Sequence, residues 1–137
     1  MKIPPILRWI CSAVALGVLL VGGCIFTDSK PSYPELKASC DDAFSKSPTS
    51  AALDTWLNMN RISPQRLTGP LDESFKRILV SNGISVADAD RAASCTYFGS
   101  LRVRGGVLSS HVAYGYFVFK SDGGLINYSI HSIQYGM

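Results

Sequence analysis

The feature that most constrains this chain is an apolar run from Trp9 to Phe26, in which Ser12 is the only strongly polar side chain. Lys2 and Arg8 precede the run, and basic residues followed by an apolar stretch are typical of an export signal. The run also accounts for the positive mean hydropathy of +0.17. We therefore expect an N-terminal segment that enters a membrane, followed by a separate folded domain.

The apolar run leads into Val21-Gly22-Gly23-Cys24, an aliphatic residue and two small residues followed by cysteine. This tetrapeptide resembles the lipobox of bacterial lipoproteins. In that family a signal peptidase cleaves before the cysteine, whose thiol carries a diacylglycerol. The resemblance implies removal of residues 1–23 and lipid attachment at Cys24. It also implies the periplasmic face of the outer membrane, because Ile25 rather than aspartate follows the cysteine.

An uncleaved transmembrane helix is the alternative interpretation, because the run approaches the ~20 residues that span a bilayer. Gly22 and Gly23 favour cleavage, since glycine lowers helix stability. In the alternative, Cys24 is unmodified and the inner membrane holds the protein. Both interpretations place the domain outside the cytoplasm.

Residues 24–33 are expected to form a lipidated tether, and residues 34–137 a single periplasmic domain. Only two of the 13 Lys and Arg and none of the 10 Asp and Glu precede Cys24, so the net charge of the remainder is +1. This balance predicts no nucleic-acid partner. Cys40 and Cys95 form an even pair in an oxidising compartment, which predicts a disulfide, with two buried thiols as the alternative.

Three amphipathic helices are expected first. The first begins near Pro34 and ends before Pro48, with Leu36, Cys40, Ala43 and Phe44 on its apolar face. Thr49 or Ser50 caps the second, whose buried residues are Leu53, Trp56 and Leu57. A loop through Pro64 and Gly69 leads to the third. Pro70 occupies its first turn, Leu71, Phe75, Ile78 and Leu79 form its apolar face, and Asn82-Gly83 ends it.

After Gly83 the apolar period changes to two, with a short strand at Ile84–Val86 and longer strands over 95–104, 107–120 and 125–135. A turn at Asp122-Gly123 would place Phe117 opposite Tyr128 and Phe119 opposite Ile126; a turn at Gly123-Gly124 shifts the partners but not the faces. The predicted fold class is α+β, with N-terminal helices packed on one face of a C-terminal antiparallel meander of three to four strands.

The other face of this sheet combines aromatic and basic side chains. The residues predicted on it are Phe98, Arg102, Arg104, Tyr114, Tyr116 and His131, with Asn127 and Ser129 beside them. Aromatic residues and arginine are enriched at binding hot spots, and guanidinium groups bind carboxylates and phosphates. This predicts a surface for a periplasmic protein, or directly for peptidoglycan or lipid. An ordinary solvated sheet face is the alternative, because tyrosine is common in strands.

No pattern in the sequence predicts an enzyme, a metal site or a cofactor. Strand alternation places His111 and His131 on opposite faces of the sheet. Ser109-Ser110-His111 lacks a nucleophile elbow and a neighbouring acid, and no glycine-rich turn opens a helix. We therefore expect a membrane-anchored protein-binding or accessory module of an envelope or secretion assembly. An immunity or inhibitor protein against a periplasmic toxin or cell-wall hydrolase is the alternative function.

Overall fold

The computed structural model describes residues 30–106 and 109–136, and the expected signal segment and Cys24 lie outside this part. Residues Pro31–Met137 form one compact unit. In chain order its elements are α1 (Tyr33–Lys46), α2 (Ser50–Met59), β1 (Gln65–Thr68), α3 (Glu73–Ser81), α4 (Val86–Arg91), β2 (Ser94–Val103), β3 (Ser109–Phe119) and β4 (Leu125–Gly136). The strands form one antiparallel sheet in the order β1-β2-β3-β4, which confirms the α+β class and the meander.

Polar side chains cap the N-termini of the helices, and the cap at α2 is the predicted Thr49. Ser32 and Glu35 form a capping box at α1. The Thr49 side chain accepts a hydrogen bond from the Ala52 N–H at the start of α2. At α3 the cap is Asp72, so Pro70 precedes the helix instead of occupying its first turn. The caps decide where each helix begins because they satisfy backbone donors that have no partner within the helix.

Helices α1 and α2 pack on one side of the sheet, which we call the first face. Trp56 and Phe44 both contact the Phe117 ring at the centre of this core, with ring centroids 6.2 and 5.7 Å apart. The buried residues of the first core are Leu36, Cys40, Phe44, Leu53, Trp56, Leu57, Ile62, Phe98, Val103, Ala113, Phe117, Phe119 and Ile130. The first two predicted helices therefore lie on one face of the sheet, as expected.

The third predicted helix lies on the opposite side of the sheet, the second face. Neighbouring residues of a strand point to opposite faces, and Val118 follows Phe117 directly. The buried residues of the second core are Leu71, Leu79, Ile84, Ala89, Ala92, Cys95 and Val118. The expectation that all helices share one face is wrong for α3, and Ile78 on its outer side is 44% exposed.

Two short elements differ from the sequence prediction. Residues expected as a loop include β1, which pairs Gln65 with Tyr97 and Thr68 with Ser94. Because β1 is short and mostly exposed, it has no apolar period to recognise. Conversely, Val86 begins helix α4 instead of a strand, because the Ser85 side chain caps that helix through the Asp88 N–H.

The β3–β4 hairpin has the predicted pairing of Phe117 with Tyr128, but an irregularity follows between Val118 and Phe119. Phe119 therefore pairs with Leu125. Ile126, which was expected opposite Phe119 under the helices, packs against the second core instead. One irregular residue was enough to exchange the faces of Leu125 and Ile126.

The predicted disulfide between Cys40 and Cys95 is wrong. Both cysteines are free and buried. Cys40 belongs to the first core and Cys95 to the second, so the sheet separates the two thiols. Burial raises the pKa of each thiol to about 12, which keeps both in the unreactive protonated form.

Candidate functional site

A bulge in β2 determines which side chains share the second face. β2 pairs regularly with β3 as far as Phe98 opposite Gly115, and pairing resumes at Leu101 opposite Ala113. Gly99 and Ser100 therefore oppose a single residue of β3, and Ser100 adopts a left-handed φ of 57°. A bulge of this kind reverses the alternation of side chains beyond it.

Phe98 is the first predicted site residue that the bulge displaces. Its ring is 3% exposed in the first core, with centroids 6.2 Å from those of Trp56 and Phe117. The prediction that Phe98 belongs to the binding face is wrong, because Phe98 precedes the bulge and Arg102 follows it. Tyr97 takes its place on the second face.

Tyr97, Tyr116, Tyr114 and His131 form an aromatic row across the second face. The Tyr97 and Tyr116 rings stack with centroids 6.0 Å apart, and Tyr114 meets Tyr116 edge to face at 6.2 Å. The His131 ring stacks on Tyr114 at 5.5 Å. Phe75 of α3 covers Tyr97 at 5.6 Å, so one end of the row lies beneath that helix. All four residues of the row are half-buried.

His131 and Ser129 attach β4 to the C-terminus of α3. The Asn82 carbonyl accepts a hydrogen bond from the Ser129 hydroxyl at 2.5 Å, and His131 Nε2 lies 2.6 Å from the same oxygen. Asn127 reaches α4, where its side-chain amide donates to an Asp88 carboxylate oxygen at 2.8 Å. These predicted face residues therefore hold helices in place and leave little free surface for a partner.

Arg104 also lies outside the predicted binding face. Its guanidinium Nη2 is 3.2 and 3.1 Å from the two carboxylate oxygens of Glu35, and its backbone N–H donates to the Pro31 carbonyl at 3.0 Å. Hydrogen bonds from Ser32, and then the Arg104 charge, lower the pKa of Glu35. Arg104 therefore fastens the start of α1 to the end of β2.

The uncovered part of the second face is an open strip formed by Arg102, Val112, Tyr114, Ile133 and Tyr135. Arg102 pairs with Val112 on the next strand, and Val112 pairs with Ile133. Ile133 is 42% and Tyr135 58% exposed. Arg102 is exposed and makes no ion pair with any residue that the structure describes. The strip thus combines an exposed cation with apolar and aromatic side chains.

The structure also contains a concave surface that sequence reasoning missed. A groove of about 670 Å³ runs between α1 and α2, with Ala43, Ala52 and Trp56 along it and Met59 at one end. Met59 is 79% exposed. The only signal for this groove in the sequence was Met59 itself, an apolar residue at the end of α2 that lies outside the buried face of that helix. The two charged residues among the described lining of the groove, Lys46 and Asp42, form an ion pair with each other.

His111 and His131 lie on opposite faces of the sheet as predicted, since His111 pairs with Gln134 and His131 with Tyr114. Within residues 30–106 and 109–136, no three His, Cys, Asp or Glu side chains are grouped to hold a metal ion. No helix in that part of the chain is long and apolar enough to cross a membrane.

Comparison of the chain with protein families, with curated proteins and with solved structures finds no match.

Proposed function

We propose that this protein is a small bacterial lipoprotein, attached by lipid at Cys24 to the periplasmic face of the outer membrane. Its α+β domain would serve as a protein-binding accessory module of an envelope or secretion assembly. The open strip on the second face is the observation that carries the binding function, and the N-terminal sequence supports the anchoring.

Two features of the N-terminal region support the lipid anchor. The Val21-Gly22-Gly23-Cys24 motif follows directly on an apolar run. The folded unit then begins at Pro31, only seven residues after Cys24. An extended chain spans at most ~3.6 Å per residue, so this tether would hold the domain within about 25 Å of the lipid.

The composition of the open strip supports binding to a protein. Tyr and Arg are among the residues enriched at the hot spots of protein interfaces, and Ile133 and Val112 add apolar surface beside them. Arg102 has neither an ion-pair partner among the described residues nor an acidic neighbour in the strip, so an acidic group on the partner would complement it.

The shape of the second face indicates what kind of element fits there. α3 covers one part of this face, and its C-terminus ends beside Ser129 and His131. Beyond it, the strip crosses β2, β3 and β4, which is about 10 Å at the usual strand spacing. An α-helix is ~10–12 Å in diameter, so an amphipathic partner helix could lie beside α3 and complete the layer.

The anchor is tested by the intact mass of protein extracted from membranes, beside a Cys24→Ala variant. We expect the wild type to lack residues 1–23 and to carry diacylglyceryl mass that the variant lacks. Full-length mass in both proteins would contradict the lipoprotein assignment and favour a transmembrane anchor.

The binding surface is tested in cells that make the full chain with a photo-crosslinking residue at Tyr135. The control is a second position, Lys120, which directly follows β3 at the end of the hairpin away from Tyr135. We expect one protein other than a second copy of the chain to be crosslinked from Tyr135 and none from Lys120. Combined Arg102→Glu and Ile133→Ser substitutions should reduce this product at least about tenfold, because hot-spot truncations typically cost more than 1 kcal/mol.

Ile78→Ser is the matched control, since Ile78 on α3 is 44% exposed and Ile133 is 42% exposed. This variant should leave the crosslinked product unchanged. Equal loss with Ile78→Ser, or a product that survives the substitutions in the strip, would show that the strip is not the binding surface.

A further inference from the structure

β4 is an edge strand without the usual protection. It is 12 residues long, lies at one edge of the sheet, and contains no Lys, Arg, Asp, Glu or Pro. Edge strands expose unpaired backbone groups, and proteins normally protect them with charges, prolines or a short length. The opposite edge follows that rule, because β1 has four residues and includes Arg66.

Two hydrogen bonds show which residues of β4 direct their backbone away from β3. The Tyr128 N–H donates to its neighbour's side-chain oxygen, Asn127 Oδ1, at 2.8 Å. The Ile130 carbonyl accepts from the Tyr33 hydroxyl at 2.9 Å. In an antiparallel strand the N–H and C=O of one residue point the same way and alternate along the strand. The even-numbered residues of β4 therefore face outward.

The outward groups differ along the strand. Those of Tyr128 and Ile130 are partly satisfied by the side chains of Asn127 and Tyr33. No such cap is found among the described residues for Ser132, Gln134 or Gly136. The open edge therefore runs over residues 132–136. Ile133 and Tyr135 lie between these positions, with their side chains in the open strip.

We propose that this edge pairs with the same edge of a second copy of the chain, antiparallel, with Gln134 opposite Gln134 of the second copy. Ser132 then lies opposite Gly136 of the other copy, and each of these pairs can exchange two backbone hydrogen bonds. The two meanders join into one sheet of eight strands. The two open strips become neighbours on a single surface.

Charge and register both favour a second copy as the occupant. A strand without charged side chains meets no like charge when it pairs with itself, whereas directly opposed like charges destabilise strand pairs. In this register Ile133 lies beside Tyr135 of the second copy, an aromatic and β-branched pair of the kind that stabilises sheets. A register shifted toward the N-terminus of β4 would bring the second copy onto the Ile130 carbonyl, which Tyr33 already occupies.

The interface of the proposed dimer is small. Pairing over five residues buries less than the ~1,200–2,000 Å² of a stable protein complex. We therefore expect a dimer that dissociates on dilution. If the anchor proposed above is correct, attachment of both copies to one membrane would raise their local concentration and favour pairing.

The first test measures the dimer dissociation constant of the purified full chain in detergent by sedimentation. Gln134→Pro removes the outward N–H without touching the bonds to β3, and Gln134→Ala keeps that donor. We expect a wild-type dimer, a similar constant for Gln134→Ala, and a constant at least about tenfold weaker for Gln134→Pro, which loses a donor in each copy. A monomer, or equal constants for the two variants, would overturn the proposal.

The second test needs no proline and reports the register. Ile133→Cys and Tyr135→Cys chains are mixed and oxidised, because directly opposed residues of a non-hydrogen-bonded pair have Cα atoms ~4.5 Å apart, within disulfide range. Two copies of either variant alone place their new cysteines diagonally, beyond ~7 Å, where no bridge forms. Crosslinks in the mixture and not in the separate variants support the pairing. Crosslinks in the separate variants, or none at all, contradict it.

These results are separable from those on the proposed function. A monomer that still crosslinks one protein through the open strip would overturn the dimer alone. A dimer whose open strip crosslinks no other protein would overturn the binding function alone. A crosslink between two copies is recognised because its mass is twice that of the chain.

Discussion

Replacing Gly115 by alanine tests whether Phe98 belongs to the first core. Gly115 lies on β3 opposite Phe98. A Cβ at position 115 would be 2.7 Å from Phe98 Cε1, 3.0 Å from Phe98 Cζ and 3.2 Å from Phe117 Cε2. These carbon atoms would have to move, because ordinary contacts between carbon atoms are ~3.5–4.0 Å. The glycine is therefore required by the packing of the two rings.

The expected cost follows from how little these rings can move. Phe98 is 3% and Phe117 0% exposed, and both pack against Trp56. Forcing an extra methyl group into a close-packed core costs about 1–3 kcal/mol. For a domain near 100 residues, each kcal/mol lowers Tm by roughly 4–8 °C. We expect Gly115→Ala to lower the free energy of unfolding by about 1–3 kcal/mol.

Gly99→Ala is the matched control, because a Cβ added at position 99 would have no other atom within 4 Å. Gly99 lies in the bulge beside Phe98 and has no left-handed φ. Its replacement should leave stability unchanged or raise it slightly, by up to about 1 kcal/mol, because alanine restricts the unfolded chain. Urea denaturation of the two variants measures the difference between them, and that difference isolates the cost of crowding.

A double-mutant cycle locates the clash. Phe98→Leu should offset part of the loss caused by Gly115→Ala, with a coupling free energy of at least about 0.5 kcal/mol. If Gly115→Ala proves as stable as Gly99→Ala, no ring lies over Gly115. Phe98 would then project from the second face, as simple strand alternation predicts, and the bulge would be refuted.

Two further predictions concern the thiols and the acid stability of the domain. Cys40 and Cys95 should resist alkylation in the native protein and react after denaturation, and reducing agents should not change Tm. A disulfide-linked peptide that contains both cysteines would contradict their separation into two cores. Tyr128 donates a hydrogen bond to Asp41 and is the main cause of the lowered pKa of that carboxyl. A lowered folded-state pKa stabilises the fold above the unfolded value of 3.8, and the contribution disappears as pH falls through the folded value. Tyr128→Phe should therefore lower the free energy of unfolding by roughly 1 kcal/mol at pH 7, and this difference from the wild type should shrink below pH 3.8. Tyr135→Phe, which removes an exposed hydroxyl, is the control. A loss of stability that does not depend on pH would contradict the role of Asp41.

The helices illustrate what local sequence predicts well. α1 and α2 begin at Ser32 and Thr49 caps, and their apolar faces are those that the helical period indicates. Such signals act within one or two turns, so no distant residue is needed to interpret them. α4 is the exception, because its six residues show too little periodicity and only the Ser85 cap identifies it.

The candidate site illustrates what local sequence predicts poorly. Strand alternation placed Phe98, Arg102 and Arg104 together, but the bulge at Gly99-Ser100 puts Phe98 in the first core. Gly99 was the available signal, since an isolated glycine within a strand often marks a bulge. The pairing of Arg104 with Glu35 had no signal in the sequence, because the two residues are 69 positions apart.

Sequence alone determined the apolar segment, the lipobox-like motif, the first two helices and the three long strands. It also showed that the chain contains no recognisable catalytic motif. Each of these conclusions depends only on residue type and short-range spacing. Tertiary structure decided which face each helix covers, where the two cysteines lie, and which part of the second face stays open. These depend on one extra residue in β2 and on contacts between distant segments, and a shift of one position in a strand exchanges the buried and exposed side chains beyond it.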